Sequence, residues 1–163
     1  MKEHDRKVLF SSNKNDWSTP DSLFKGLSNY FGGFTLDTCA TIENTKCTKY
    51  FSEKENGLIQ SWVGEVTFTN PPYSDIATWV KKNYEESRKC NKVKVMLIPA
   101  RTDTRYVGEY ITKASNIFFI QGRLKFSGSK NSAPFPSMIV VFDRCREGER
   151  SVRWCNREFT KFW

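Results

Sequence analysis

Asn70, Pro71, Pro72 and Tyr73 lie together within the stretch TFTNPPYSD, and their side chains suggest a specific chemistry. The Asn70 side-chain oxygen is an acceptor, and Pro71, which lacks an N–H, still presents its carbonyl. Two acceptors converging on one planar amino group would take both of its hydrogens. They would draw the nitrogen lone pair out of conjugation, towards tetrahedral geometry, and make that nitrogen nucleophilic. The prolines stiffen the loop, so less ordering is needed when a substrate arrives. Tyr73 offers a flat ring for a planar group to stack on, worth about 1–3 kcal/mol per base in nucleic-acid complexes. The competing reading is a turn in which Asn and Pro merely stop a strand.

Placement separates the two readings. The β-branched run Glu65 to Thr69 reads as a strand that must end at the prolines, since neither can donate to a sheet ladder. Beyond the loop, Ile76, Trp79, Val80 and Tyr84 recur at helical spacing. Ser74 or Asp75 can cap there, which predicts a helix over Ile76 to Arg88. The tetrapeptide therefore sits between a strand and a helix, on the edge of an α/β sheet where ligands usually bind.

The remaining elements follow the same logic. In STPDSLFKGLSNYF, Thr19 can cap a helix, Pro20 suits its first position and Asp21 complements its dipole. Leu23, Phe24, Leu27, Tyr30 and Phe31 form the apolar stripe, and Gly32-Gly33 ends it. FTLDT reads as a short strand closing on Asp37, with one more short strand near Tyr50-Phe51. VKVMLI, NIFFI, MIVVF and SVRWC read as further strands, and DTRYVGEYITKA as a helix begun by Asp103 or Thr104. Strands alternating with helices, then strands in succession, predict an α/β sheet, mostly parallel with an antiparallel edge and helices on both faces.

Bulk properties narrow the partners. The chain has 163 residues, which suits one domain over 17–163 behind a flexible polar leader over 1–16. Its formal net charge of +8 favours a polyanionic partner. No apolar run approaches the roughly 20 residues that span a bilayer, and the N-terminus lacks the h-region of a signal peptide, so no membrane partner is expected. Five cysteines, an odd number with no C-x-x-C pair, fit a reduced intracellular chain. The single histidine, His4, lies in the leader, which argues against a zinc site, a zinc deaminase or a Ser-His-Asp triad. No metal is expected.

At this point the sequence resembles a known family. Asn-Pro-Pro-Tyr is the catalytic motif of amino-group methyltransferases that use S-adenosylmethionine, and the wider pattern resembles the phage DNA adenine-N6 methyltransferases, the Dam-like family. The matching pieces are WSTPDSLF, FTLDTCAT, ENTKC, ENGLIQSW, FTNPPYS, LIPARTDT, GRLKF and PFPSMIVVF, in family order from about residue 17 to 143. The resemblance implies a Rossmann-like methyltransferase sheet and transfer of a methyl group to the N6 of a flipped adenine in double-stranded DNA. It implies catalytic roles for Asn70, Pro71, Pro72 and Tyr73.

The same resemblance implies that Trp17, Thr19 and Pro20 close over the methionine end of S-adenosylmethionine, and that Asp37 lies near that end. Cys39 and Ala40 match the small residues where backbone approaches the cofactor. Asn56 stands where relatives commonly carry Asp against the cofactor's adenine amino group. Thr19 could equally be a simple cap, Asp37 a turn residue and Cys39 core packing. Glu53 and Glu55 are candidates for the ribose hydroxyls or plain surface charges.

DNA contacts are expected from Arg101, Arg105, Arg123, Lys125 and Lys130, mostly to phosphates, with Phe126 or Phe135 wedging beside the vacated base stack. With no separate target-recognition domain, the recognised site would be short, with GATC a candidate. The implied setting is the cytoplasm of a bacterial host cell carrying a phage or prophage. Other readings are a protein-glutamine or cytosine-N4 methyltransferase, or a non-catalytic basic DNA-binding protein that keeps the fold.

Overall fold

The computed structural model describes residues 17–146 and 148–163; the expected flexible leader over 1–16, with His4, lies outside the described residues. Helix α1 (Asp21–Phe31) starts at Pro20 and stops at Gly32, whose φ of 77° is the left-handed conformation that only glycine adopts freely. Its buried face carries Leu23 and Leu27. Gly26 is required as well, because a Cβ there would collide with the backbone carbonyl of Glu158. This close approach pins the C-terminal segment onto α1.

Strands β1 (Leu36–Asp37) and β2 (Thr67–Thr69) follow. After β2 the chain makes a 3₁₀ turn (Tyr73–Asp75) and enters helix α2 (Ile76–Ser87), one residue short of the expected end. Strand β3 (Lys94–Pro99) leads to a short helix α3 (Arg105–Glu109), a 3₁₀ turn (Ile111–Lys113) and strand β4 (Asn116–Ile120). The single helix expected across DTRYVGEYITKA is thus broken at Tyr110 (φ −128°, ψ −49°). Gly108 weakens the helix, and the Thr112 hydroxyl bonds back to the Gly108 carbonyl at 2.9 Å. Strands β5 (Ser137–Phe142) and β6 (Ser151–Cys155) complete the set.

The result is a mixed α/β sheet of six strands in the order β1-β2-β3-β5-β4-β6. The β1–β2, β2–β3 and β4–β6 pairs are parallel, and β5 runs antiparallel to both β3 and β4. The expectation of an antiparallel edge is therefore corrected: the antiparallel strand lies inside the sheet, and the edge strands β1 and β6 are parallel to their neighbours. The reason is visible in β5, where all six residues are buried. A strand apolar along its whole length has two faces to cover and belongs in the interior. The short strand expected near Tyr50-Phe51 is reduced to one parallel bridge, Asp37 with Tyr50.

Alternation along β3 divides the core. Val95 and Leu97 join Leu23, Leu27 and Phe68 on the face covered by α1. Met96 and Ile98 join Ile76, Trp79 and Val80 on the face covered by α2. Helices on both faces are as expected. Each fully buried Leu, Ile or Val contributes roughly 1.5–3 kcal/mol, and β3 carries Val95, Leu97 and Ile98 fully buried. Among the described residues, no helix is long and apolar enough to cross a membrane.

Candidate active site

Five strands point their carboxyl ends to one edge, and Asn70 follows directly on the end of β2 there. Its amide is held by two acceptors from the segment before α1. Asn70 Nδ2 donates to the Trp17 carbonyl at 2.6 Å and to Thr19 Oγ1 at 3.0 Å. A carbonyl can only accept, so the nitrogen must face Trp17 and the oxygen must face away. That oxygen, Asn70 Oδ1, is buried and has no hydrogen-bond partner. Leaving such an acceptor unpaired costs about 1–3 kcal/mol, which a ligand N–H would recover. Pro71 beside it is buried and Pro72 extended (ψ 127°), which keeps the loop in one shape.

Thr19 therefore does not cap α1; helix α1 has no side-chain cap bond, and the Thr19 hydroxyl is turned onto Asn70 instead. Thr19 is itself buried. A Ser or Thr before a helix signals a cap in isolation, but here tertiary structure supplies a competing donor.

Asp37 closes β1 on the same edge. Its Oδ2 accepts from the Lys46 backbone N–H at 3.1 Å. Burial pushes its carboxyl up to about 6, against the opposing pull of the Lys46 and Cys39 backbone N–H groups and the Lys46 charge. The Lys46 ammonium itself pairs with Asp21 at 2.5 Å. Among the described residues, Asp37 is thus a buried carboxylate without a salt-bridge cation of its own, suited to receiving one. Cys39 Sγ donates to the Asn70 backbone carbonyl at 3.2 Å, which ties β1's exit to the Asn-Pro-Pro-Tyr loop. Burial, first, and Asp37, second, drive the Cys39 thiol upward, so it stays protonated as that donor. Ala40 is buried next to it.

Asn56 lies near this edge with a left-handed backbone (φ 52°), and its side-chain oxygen accepts from the Leu58 N–H at 3.2 Å. Gly57 packs so tightly on the Thr38 carbonyl that a Cβ there would collide with it, which sets Asn56 beside the exit of β1. Glu55 caps its own loop through Ser52, at 2.7 Å to both N–H and hydroxyl, so it serves the local turn. Glu53 is exposed.

An aromatic rim surrounds Asn70. Tyr73 lies nearly parallel to Trp17 (centroids 6.2 Å apart, 15°), and Phe135 meets both rings edge-on at 5.3 and 5.6 Å. The Tyr73 hydroxyl is buried without a partner. Burial pushes that phenol well above its usual range, with the nearby Arg101 charge pulling the other way. Arg101 therefore stands within electrostatic reach of the loop. Phe126 is buried under Trp17 at 5.2 Å, so a wedging role for it is corrected: a core ring is not free to enter a base stack. Phe135 is half-buried at the rim. Arg105, Arg123, Lys125 and Lys130 are all exposed, and Arg105 pairs with Glu109 at 2.8 Å.

The structure brings Trp17, Thr19, Asp37, Cys39 and Asn70 together from three separate segments. Sequence reasoning missed the Trp17 carbonyl, which decides the orientation of Asn70, and Lys46, whose N–H holds Asp37. A backbone group carries no residue-type signal, so neither was findable from spacing. Among the described residues, no three His, Cys, Asp or Glu side chains assemble as a metal site.

Comparison with known proteins adds the chemical class. Residues 7–161 match the family model described as DNA N-6-adenine-methyltransferase (Dam). A DNA N-6-adenine-methyltransferase of Haemophilus phage HP1 (strain HP1c1) is 31% identical over 139 residues, covering 81% of this chain and 80% of that protein. A protein of the same description from Escherichia phage T1 is 34% identical over 109 residues, covering 66% of this chain and 45% of that protein.

Proposed function

The chain belongs to the DNA N-6-adenine-methyltransferase (Dam) family, and from that membership in a family of DNA adenine-N6 methyltransferases we propose which of its residues do the work. Asn70 Oδ1 and the Pro71 carbonyl accept the two hydrogens of the adenine N6 amino group. Trp17 and Thr19 hold the Asn70 amide so that its oxygen, and never its nitrogen, meets the base. The observation that carries this reading is the buried, partnerless Asn70 Oδ1 with both amide hydrogens already engaged.

The donor set suits S-adenosylmethionine. Asp37, buried and without a salt-bridge cation among the described residues, would accept its ammonium group. Trp17 and Pro20 would cover its methionine end, and the backbone at Cys39 and Ala40 would lie against it. Asn56 would accept from its adenine amino group with the lone pair that Leu58 leaves unused. The bound cofactor supplies an electrophilic methyl carbon on a sulfonium.

The chain's own part is positioning. The Asn70 and Pro71 oxygens turn the N6 lone pair out of the purine plane and stabilise positive charge as it builds on nitrogen. No strong base is needed, since the proton leaves after the nitrogen has become cationic. Tyr73 stacks the extruded base, sharing its ring with Trp17 and Phe135. Flipping costs a few kcal/mol, offset by stacking and by phosphate contacts from Arg101, Arg105, Arg123, Lys125 and Lys130. The substrate in this reading is double-stranded DNA in the cytoplasm of a bacterial host, read by short loops.

Labelled S-adenosylmethionine incubated with DNA, RNA and protein tests the reading. Label should enter DNA, and nucleoside digestion should return N6-methyladenine. Label confined to protein, or recovered as methylcytosine, would overturn it.

A further inference from the structure

A second recess opens on the same sheet edge, beside the catalytic loop and separate from it. It is a cleft of about 420 Å³, formed where β3 and β4 end, β5 begins and β6 passes alongside. A recess of this size takes a small planar ligand. Three features give it a chemical character. Trp154 on β6 is half exposed and packs against Phe119 (centroids 5.8 Å apart, 51°), so an indole face is open to solvent. Ser137 contributes a buried hydroxyl with no hydrogen-bond partner. Arg123, exposed, stands on the rim.

An aromatic platform, an unpaired hydroxyl and a rim cation match a nucleotide: a π-face to stack, a polar base edge to read and a phosphate to neutralise. The cleft also adjoins the catalytic rim. Pro136 lines it, and the neighbouring residue Phe135 touches Tyr73 at 5.3 Å. Ala100 lines it too, donates to the Pro136 carbonyl at 2.9 Å, and precedes Arg101, whose charge reaches Tyr73. The net charge of +8 favours a polyanionic occupant.

We infer that this cleft is a second base-binding site, in which Trp154 stacks, and Ser137 reads, a nucleotide of the DNA next to the target adenine. The inference rests on the DNA-methylating reading above. It gives the chain a means of sensing sequence around the methylated base.

The test uses duplex oligonucleotides that the wild-type protein methylates, with single abasic positions scanned across the flanks. One flanking abasic position should weaken wild-type binding about tenfold, the size of losing one base–aromatic stack. Trp154→Ala should show the same loss on intact DNA and no further loss at that abasic position. Trp154→Phe should recover most of the affinity, and Ser137→Ala should flatten the preference among the four bases there. Melting temperature and cofactor affinity of the variants report on folding. An abasic scan on the wild type with no sensitive flanking position overturns the inference without any variant. Additive losses for Trp154→Ala and the abasic site overturn it as well. Absence of methyl transfer by the wild type would instead remove the functional reading on which it rests.

Discussion

The two ends of strands β2 and β3 handle buried polar groups in opposite ways. At the amino end, Lys94 is fully buried and donates to the Trp62 carbonyl at 3.0 Å, the Glu65 carbonyl at 2.5 Å and Cys90 Sγ at 3.7 Å. Glu86, equally buried, accepts from Lys82 at 2.8 Å, Lys89 at 2.6 Å and the Trp62 N–H at 2.9 Å. Each of these charges has its partners within the chain. At the carboxyl end, Asn70 Oδ1 and the Tyr73 hydroxyl are buried and unpaired, and Asp37 has no salt-bridge cation among the described residues. Ser137 and Tyr106, on elements near that edge, also carry partnerless hydroxyls; Thr67, at the amino end, is the exception.

A satisfied polar network secures a fold, whereas an unsatisfied one keeps its hydrogen-bonding capacity for a ligand. The two carboxylates express this difference electrostatically. Burial alone would raise the Glu86 carboxyl, yet its Lys82, Lys89 and Trp62 donors hold it below the ordinary range. Burial dominates at Asp37 and leaves it at about 6.

The sharpest way to break the comparison is Asn70→Ala. It should lower methyl transfer about 10²–10³-fold, the usual cost of a lost charge-stabilising hydrogen bond, while the melting temperature and cofactor affinity stay near wild type. A destabilised protein with unchanged turnover per folded molecule would reverse the assignment of the two ends. Glu86→Ala should do the opposite, costing about 3 kcal/mol of stability by leaving the Trp62 N–H and neighbouring lysines without their acceptor. Urea unfolding measures this loss, and turnover per folded molecule should hold.

Thr19→Val keeps shape and removes one acceptor for the Asn70 amide. Turnover should fall about tenfold, equivalent to one hydrogen bond, and Thr19→Ser should restore it. A Thr19→Val enzyme as active as wild type would mean that the Trp17 carbonyl alone orients Asn70.

An effect of similar size is expected in pH. Between about 4 and 6 the folded chain holds more protons at Asp37 than the unfolded chain, so this group makes stability fall as pH rises through that window. Glu86 has the reverse sign: its contribution is present above the ordinary carboxylate range and is lost as pH falls. A cation bound at Asp37 favours the ionised form, so cofactor affinity should tighten roughly tenfold from about pH 5 to pH 7. Titration calorimetry at several pH values measures it, and Asp37→Asn should flatten the profile.

Much of this was legible from residue order. NIFFI and SVRWC are strands with the ends expected of them, VKVMLI shifts by one residue, and MIVVF gains Ser137 at its start. The loop role of Asn70 to Tyr73 followed from what proline forbids. Less legible were the place of β5, which depends on which strands flank it, and the fate of Thr19, whose hydroxyl serves Asn70 across 51 residues of sequence. Phe126 and Phe135 look alike in a basic loop, yet one is core and the other rim.

The amino-acid sequence by itself determined the chemistry available: an acceptor-bearing, proline-stiffened loop after a strand, a carboxylate closing another strand, a basic chain and an ordered family pattern. Those are properties of residue type and local spacing, which short-range sterics and hydrogen-bonding capacity dictate. Only the tertiary structure decided which acceptors remain unpaired. That depends on backbone groups such as the Trp17 carbonyl arriving from distant segments, and a carbonyl is the same in every residue.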